Sequence, residues 1–325
     1  MPIESQKSHK NKDEEYDDGS NISRYSAANR QAFADTEQVL FELASAERLS
    51  ILSRLSEGKA AANNLSTLSK DLSIVVQEIH RHISRLLEAG LIQRTSANSY
   101  SLTAFGTVML TQIPALNFLS NNKSYFSDHL LGELPLKFIQ RLGALSDSLY
   151  LDNQVAIFEY QREILSRAQN YLYIIVPQMP LYLIDSIMPK LEANEKNSER
   201  NEHIIQLKYL LPYNAILPKK RHNDLRHSTF YELLDKEIVQ RRMVERVHLG
   251  ILVNESQSMV MFPMITRKGS ARAGEGAGEG KEQAEIDMNS GFYSTDSIFH
   301  EWCLDYFNYI WHIAKPFNRK KLNEV

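Results

Sequence analysis

The segment from Val76 to Glu88 carries the side chains best suited to reading nucleic acid. Gln77, Arg81, Ser84 and Glu88 recur at helical spacing on one side, with His80 and Arg85 on the flanks. Val75, Ile79, Ile83 and Leu86 fall in one apolar stripe that is expected to face a core. A helix with an apolar back and a polar front suits the major groove. There Gln can pair with adenine and Arg with guanine, and either can instead hold backbone phosphate. The same pattern also fits a solvated face, so the surrounding elements must decide between the two.

Other reactive residues are sparse. His80 and His82, two positions apart on a helix, point about 200° away from one another and cannot share an ion. Cys303 is the one cysteine of the chain, which excludes an intramolecular disulfide and a multi-thiolate metal cage. It reads as a small buried hydrophobe beside Trp302, Tyr306, Phe307, Tyr309 and Trp311, a stripe that reads as core. Lys268 to Lys281 holds five of the 13 glycines, yet no apolar run flanks it as a phosphate-cradling loop requires. It reads as a flexible insertion. No metal site, cofactor or catalytic residue is expected.

The elements needed to position Val76 to Glu88 are legible. Helical periodicity begins at Thr36, with Val39, Leu40 and Leu43, then Leu49, Ile51, Leu52 and Leu55. Ser45 suits an N-cap and Gly58 a stop. Leu65, Leu68 and Leu72 make a short helix, and the next one ends at Gly90, a left-handed cap. Leu91–Arg94 and Ser99–Leu102 form a small hairpin with a polar tip, followed by a helix from Ala104 to Leu119. Three helices, a hairpin and a helix is the order of a winged helix-turn-helix. The residues expected to touch DNA are Val76, Gln77, His80, Arg81, Ser84 and Arg85 on the helix, and Arg94, Ser99 and Tyr100 on the wing.

Farther along, helices are expected at Leu134–Leu149, Val155–Gln169, Phe230–Arg242 and Ser297–Ala314. Strands are expected at Tyr171–Val176, Gln206–Leu211, Val247–Val253 and Met259–Pro263. This alternation predicts an α/β domain.

Leu43–Leu52, Ile79–Ile92 and Tyr100–Gly106 resemble the ArsR/MarR-like winged-helix regulators over about 70 residues. Tyr125–Leu130, Leu134-Pro135 and Phe299–Trp311 resemble the effector domain of archaeal regulators related to a methanogenesis regulator and to the sugar-sensing TrmB group. That likeness implies a phospholipase-D-like regulatory domain. Some winged-helix relatives sense thiophilic metals through paired cysteines near the DNA-binding helices, and this chain has none there. Phospholipase-D-like enzymes use His-x-Lys with a later Asp. Here the nearest segment is His248-Leu249-Gly250 with Glu255, and His203 is followed by two isoleucines. Without the lysine the phosphoryl charge would go unneutralised, so a degenerate, non-catalytic domain is expected.

The whole chain has 325 residues and a net charge of −3, which does not advertise nucleic-acid binding. Between Thr36 and Leu110 seven cations face seven carboxylates, so contact must rest on a few outward cations. No signal peptide or membrane-length apolar run is visible, which points to the cytoplasm. The expected organisation is α+β: a disordered tail at 1–35, a winged helix-turn-helix at 36–119, and a larger α/β domain of degenerate phospholipase-D type at 120–318 with the insertion at 268–281. The expected function is transcription regulation by a homodimer on double-stranded DNA, modulated by a small-molecule or protein effector, with no membrane partner. Dimerisation is expected through Ala104–Leu119 and parts of the C-terminal domain. The alternatives are a phosphodiesterase and a winged-helix adaptor that binds protein.

Overall fold

The structure, a computed structural model, describes residues 33–58, 63–95, 99–178, 186–187, 189–190, 193, 205–217, 239–267, 282–318 and 323–324. Helix α1 spans 33–43. Helix α2 (Ala46–Ser56) starts where Ser45 Oγ accepts from Arg48 N at 3.3 Å. Helix α3 (Leu65–Leu72) starts where Asn64 Oδ1 accepts from Thr67 N at 2.9 Å. Each cap satisfies an amide that the helix itself leaves unpaired. Helix α4 (Val76–Glu88) closes at Gly90, whose φ of +70° lets Gly90 N and Leu91 N return to the carbonyls of Leu87 and Leu86. An antiparallel hairpin follows, β1 (Ile92–Arg94) on β2 (Tyr100–Leu102), with Ile92 opposite Leu102.

Helix α5 (Ala104–Leu110) seats directly on the start of that hairpin. A Cβ at Gly106 would fall 1.9 Å from Leu91 O, so only glycine permits the approach. Ile51, Leu52, Leu55, Leu68, Ile79, Ile83, Leu86 and Leu91 are buried together with Ile92 and Tyr100. Each such side chain stabilises the unit by roughly 1.5–3 kcal/mol relative to exposure.

This first compact unit ends at Thr111, and the second begins at Gln112. The expected helix from Ala104 to Leu119 is therefore two helices. Helix α6 (Ile113–Asn121) opens with Pro114 in its first turn, where the missing N–H costs nothing but would break a continuous helix. The domain boundary accordingly falls before α6 and not at Leu119. The tail was expected to reach residue 35, but α1 already begins at 33; residues 1–32 lie outside the described set.

In the second unit come α7 (Tyr125–Asp128), α8 (Leu136–Ile139), a 3₁₀ turn (Leu142–Leu145), β3 (Leu149–Leu151) and α9 (Gln154–Arg167). The single helix expected over Leu134–Leu149 is thus divided. Gly143 interrupts it, packed so tightly that a Cβ would lie 2.9 Å from Ala115 N. Next are β4 (Tyr171–Ile175), β5 (Gln206–Pro212), β6 (Ile216–Leu217), β7 (Val239–Val244), β8 (Gly250–Asn254), β9 (Ser258–Met261), β10 (Pro263–Arg267), β11 (Glu282–Ile286) and β12 (Gly291–Ser294). Helix α10 (Ser297–Ile313), β13 (Lys315–Pro316) and β14 (Asn323–Glu324) close the chain. The helix expected at Phe230–Arg242 is a correction where it can be judged: Val239–Arg242 belongs to β7, and 230–238 lies outside the described residues. The insertion expected at 268–281 also lies outside them, between the paired strands β10 and β11.

Eight strands form one mixed sheet in the order β13-β7-β5-β4-β8-β9-β12-β3, with β4, β5 and β7 parallel and the other pairings antiparallel. Side chains alternate across it. Asn254 and Met261 face α9, where Asn254 Nδ2 donates to Ile164 O at 2.8 Å. Tyr173 faces α10, its ring stacked on Phe307 at 4.7 Å. The two helices therefore cover opposite faces. Trp302, Cys303, Tyr306 and Phe307 of α10 are buried, as the aromatic stripe predicts, whereas Tyr309 and Trp311 of the same stripe are only partly buried.

Candidate nucleic-acid interface

Ile79, Ile83 and Leu86 turn the back of α4 into the first unit's core, each at most 1% exposed. Val75 does not join them and is 64% exposed, because it is the N-cap with an extended backbone and so lies off the helical wheel. His82 takes a buried place instead, and its Nδ1 has no hydrogen-bond partner. Burial first, then the charges of Arg48 and Arg81, push its pKa down.

The outward row is open. Val76, Gln77, His80, Arg81 and Ser84 are all exposed. Arg81 makes one loose contact, 3.7 Å to Glu78. Ser84 Oγ donates to His80 O at 3.0 Å.

Arg85 departs from the expectation. Its Nε and Nη2 reach the two carboxylate oxygens of Glu42 on α1 at 3.0 and 2.7 Å, and its guanidinium lies 5.1 Å from the centre of the Phe41 ring. The hydrogen bond to Glu42 raises the pKa of Arg85. Glu42 is buried and also meets Arg48 Nε at 3.2 Å, while Arg48 Nη2 donates to Phe41 O at 2.7 Å. Arg85 thus fixes α4 to α1 and is not a free cation for DNA. Spacing alone missed this triad. Its signal was Glu42, an acid between Phe41 and Leu43 in an apolar stretch.

On the hairpin Arg94 is exposed, whereas Ser99 and Tyr100 are buried at 3% and 5%. Thr95 N and Oγ1 donate to Ser99 O, and Tyr100 N donates to Asn63 O. Both residues thus anchor the hairpin to the core and do not form its outer surface. The tip, 96–98, lies outside the described residues.

In the second unit His248, one-fifth exposed, has Nε2 3.6 Å from Glu133 Oε2. At Gly250 a Cβ would lie 2.7 Å from Met261 Cε and 3.2 Å from Ile286 Cγ2, so a side chain there would require Met261 to shift. Glu255 lies beyond the far end of β8, accepting from Gln169 N and Asn170 N at 2.8 and 3.3 Å. A strand between them separates His248 from Glu255 by about 20 Å. His248 instead borders a cleft of about 1250 Å³ at the carboxyl ends of β4, β5 and β7, with Ile175, Pro212, Met243, Arg246 and Tyr306 on its walls. In open sheets this edge is where ligands enter.

A second cluster was invisible in the sequence, its members 158 residues apart. His129 Nδ1 bonds Tyr125 O at 2.8 Å, and its Nε2 meets Asp287 Oδ2 at 3.1 Å. Burial pushes the Asp287 pKa up, but bonds from His129, Ser290 and Asn289 outweigh that and hold it at about 2. The Tyr125 ring stacks on His129 at 3.7 Å. The cluster ties α7 to the turn after β11. Among the described residues no group of three metal-ligating side chains occurs, and no helix is long and apolar enough to cross a membrane.

No protein-family model and no curated protein sequence matches the chain. Among solved structures, TrmBL2, an archaeal chromatin protein with a novel mode of DNA binding, is 12% identical. It covers 84% of this chain and 94% of its own, at a TM-score of 0.34. The pyocyanin biosynthetic protein PhzM is 14% identical, covering 70% and 67%, at 0.24. HmgR of Pseudomonas aeruginosa is 14% identical, covering 82% and 96%, at 0.21. All three are too distant to transfer a fold or a function.

Proposed function

We propose that the chain is a sequence-specific DNA-binding transcription regulator whose first unit is a winged helix-turn-helix. The observation that carries this reading is the outward row Gln77, His80, Arg81 and Ser84, solvent-exposed on a helix whose back is fully packed. Such a helix can enter the major groove without unfolding its own unit. The hairpin with its exposed Arg94 supplies the wing, suited to phosphate or minor-groove contact. Arg85, Ser99 and Tyr100 serve the scaffold. The protein acts as a homodimer, because one recognition helix touches only a few base pairs.

The second unit is a non-catalytic regulatory domain of degenerate phospholipase-D type, and its effector enters the cleft beside His248. The missing cation at Gly250 and the remoteness of Glu255 favour that reading over a phosphodiesterase. The chain works in the cytoplasm. Selection of bound sequences from a random duplex pool tests the proposal: enrichment of a two-fold repeated half-site supports it, and recovery of unenriched DNA at moderate salt overturns it.

A further inference from the structure

Helix α10 packs on β4, β8 and β9, and on the same face the flanking strands β5 and β7 carry polar side chains. Gln206 and Lys208 of β5, and Gln240 and Arg242 of β7, are all only partly buried, and Lys208 stands beside Gln240 in register. Lys208 Nζ lies 4.9 Å from the centre of the Tyr173 ring and 5.5 Å from that of Trp311. The Arg242 guanidinium lies 4.9 Å from the same Trp311 ring and donates to Trp311 O at 2.8 Å. The two cations therefore share one indole. Neither forms an ion pair with a carboxylate among the described residues. Tyr173 OH donates to Gln206 Oε1 at 2.6 Å, which fixes that end of the stripe.

Ring faces soften the repulsion between two neighbouring cations without neutralising it. Burial first, then the charge of Arg242, pushes the Lys208 pKa down. A dianion would neutralise both groups at once. A phosphate monoester carries nearly two negative charges at neutral pH, and the planar guanidinium fork matches its oxygens. A carboxylate would supply one charge only.

We propose that Lys208 and Arg242, gathered about Trp311, form a binding site for the phosphate group of a small molecule, on the face of the sheet where α10 packs. Lys208 supplies a movable ammonium donor. Arg242, held in place by Trp311 O, supplies the guanidinium donors left over from that bond. Gln240, beside Lys208, offers a neutral donor. The site is separate from the DNA-reading helix, so its test is independent of DNA binding.

The test uses the full chain and inorganic phosphate as the probe, read by calorimetry and by melting temperature against chloride at equal ionic strength. Saturable binding in the millimolar range with a raised melting temperature is expected. Lys208→Met keeps the aliphatic stem over Tyr173 and should weaken binding about tenfold, the loss expected for one charge-assisted hydrogen bond. Lys208→Arg should restore most of it. Circular dichroism of each variant reports whether the fold is kept, and Arg242→Gln provides a second removal of charge. Absence of binding to the unmodified chain overturns the proposal, as does binding that Lys208→Met and Arg242→Gln both leave unchanged while folded.

Discussion

Glu42 and Arg85 stand 43 residues apart and meet as a two-pronged ion pair at 2.7 and 3.0 Å, joining α1 to α4. Glu42 is nine-tenths buried there and also answers Arg48. Glu42→Gln keeps the shape and removes the charge that both arginines face. Because the Arg85 side chain is 38% exposed, water recovers part of the loss. A destabilisation of about 2 kcal/mol is expected, measured by chemical denaturation. DNA affinity should fall as well, since α4 loses its anchor. An unchanged unfolding midpoint would remove the triad from the scaffold.

Arg81 and Arg94 should differ in kind. Arg81 lies mid-row on the outer face of α4, its side chain 66% exposed. Arg81→Ala should cost about 1–3 kcal/mol of binding and relax preference at one base position. Arg94→Ala should weaken all sequences alike and flatten the salt dependence. Titrations against selected and scrambled duplexes at two salt concentrations separate these outcomes, and wild-type behaviour of both variants would displace the proposed surface.

His82 makes stability pH-dependent. Its folded pKa lies below the ordinary histidine value of about 6.5, so the unfolded chain binds the proton more readily. Stability from this residue is present above that pH and is lost as pH falls through it. His82→Leu removes a buried nitrogen that has no partner, and should stabilise the first unit by about 1 kcal/mol while shrinking the difference between melts at about pH 5.5 and about pH 7.5. A variant that melts lower at both pH values would show that the imidazole contributes packing leucine cannot replace.

A dimer needs an apolar surface, and α5 exposes Phe105 and Val108 at 45% and 59%. On α1, Leu40 and Phe41 are exposed at 49% and 61%. Light scattering should report a dimer at micromolar concentration, and Val108→Asp should shift it toward monomer and weaken operator binding. A wild-type monomer with and without DNA would refute the homodimer.

Hydrolysis of phosphodiesters should stay at background, because Gly250 supplies no cation and Glu255 serves a distant turn. Turnover that disappears in His248→Ala would reverse the reading of the second unit.

Local rules suffice for the first unit's elements. The caps at Ser45 and Gly90, the periodicity of Ile79, Ile83 and Leu86, and the pairing of β1 with β2 involve residues close in sequence, where backbone geometry decides. The same rules place Gln77, His80, Arg81 and Ser84 outward. They fail for Val75, whose capping backbone removes it from the wheel, and for Ser99 and Tyr100, adjacent residues both buried where the chain enters β2. They fail again at Leu134–Leu149, where apolar periodicity suits a helix but Gly143 packs against α6, and in β7, whose identity comes from pairing with β5. What sequence could not supply at all are the partners of charges: Arg85 with Glu42, His129 with Asp287, and Lys208 beside Arg242. Those pairings join residues 34 to 158 positions apart (for Lys208 and Arg242, 242 − 208 = 34). Charges interact through distance in space, and only the tertiary structure brings such residues within reach.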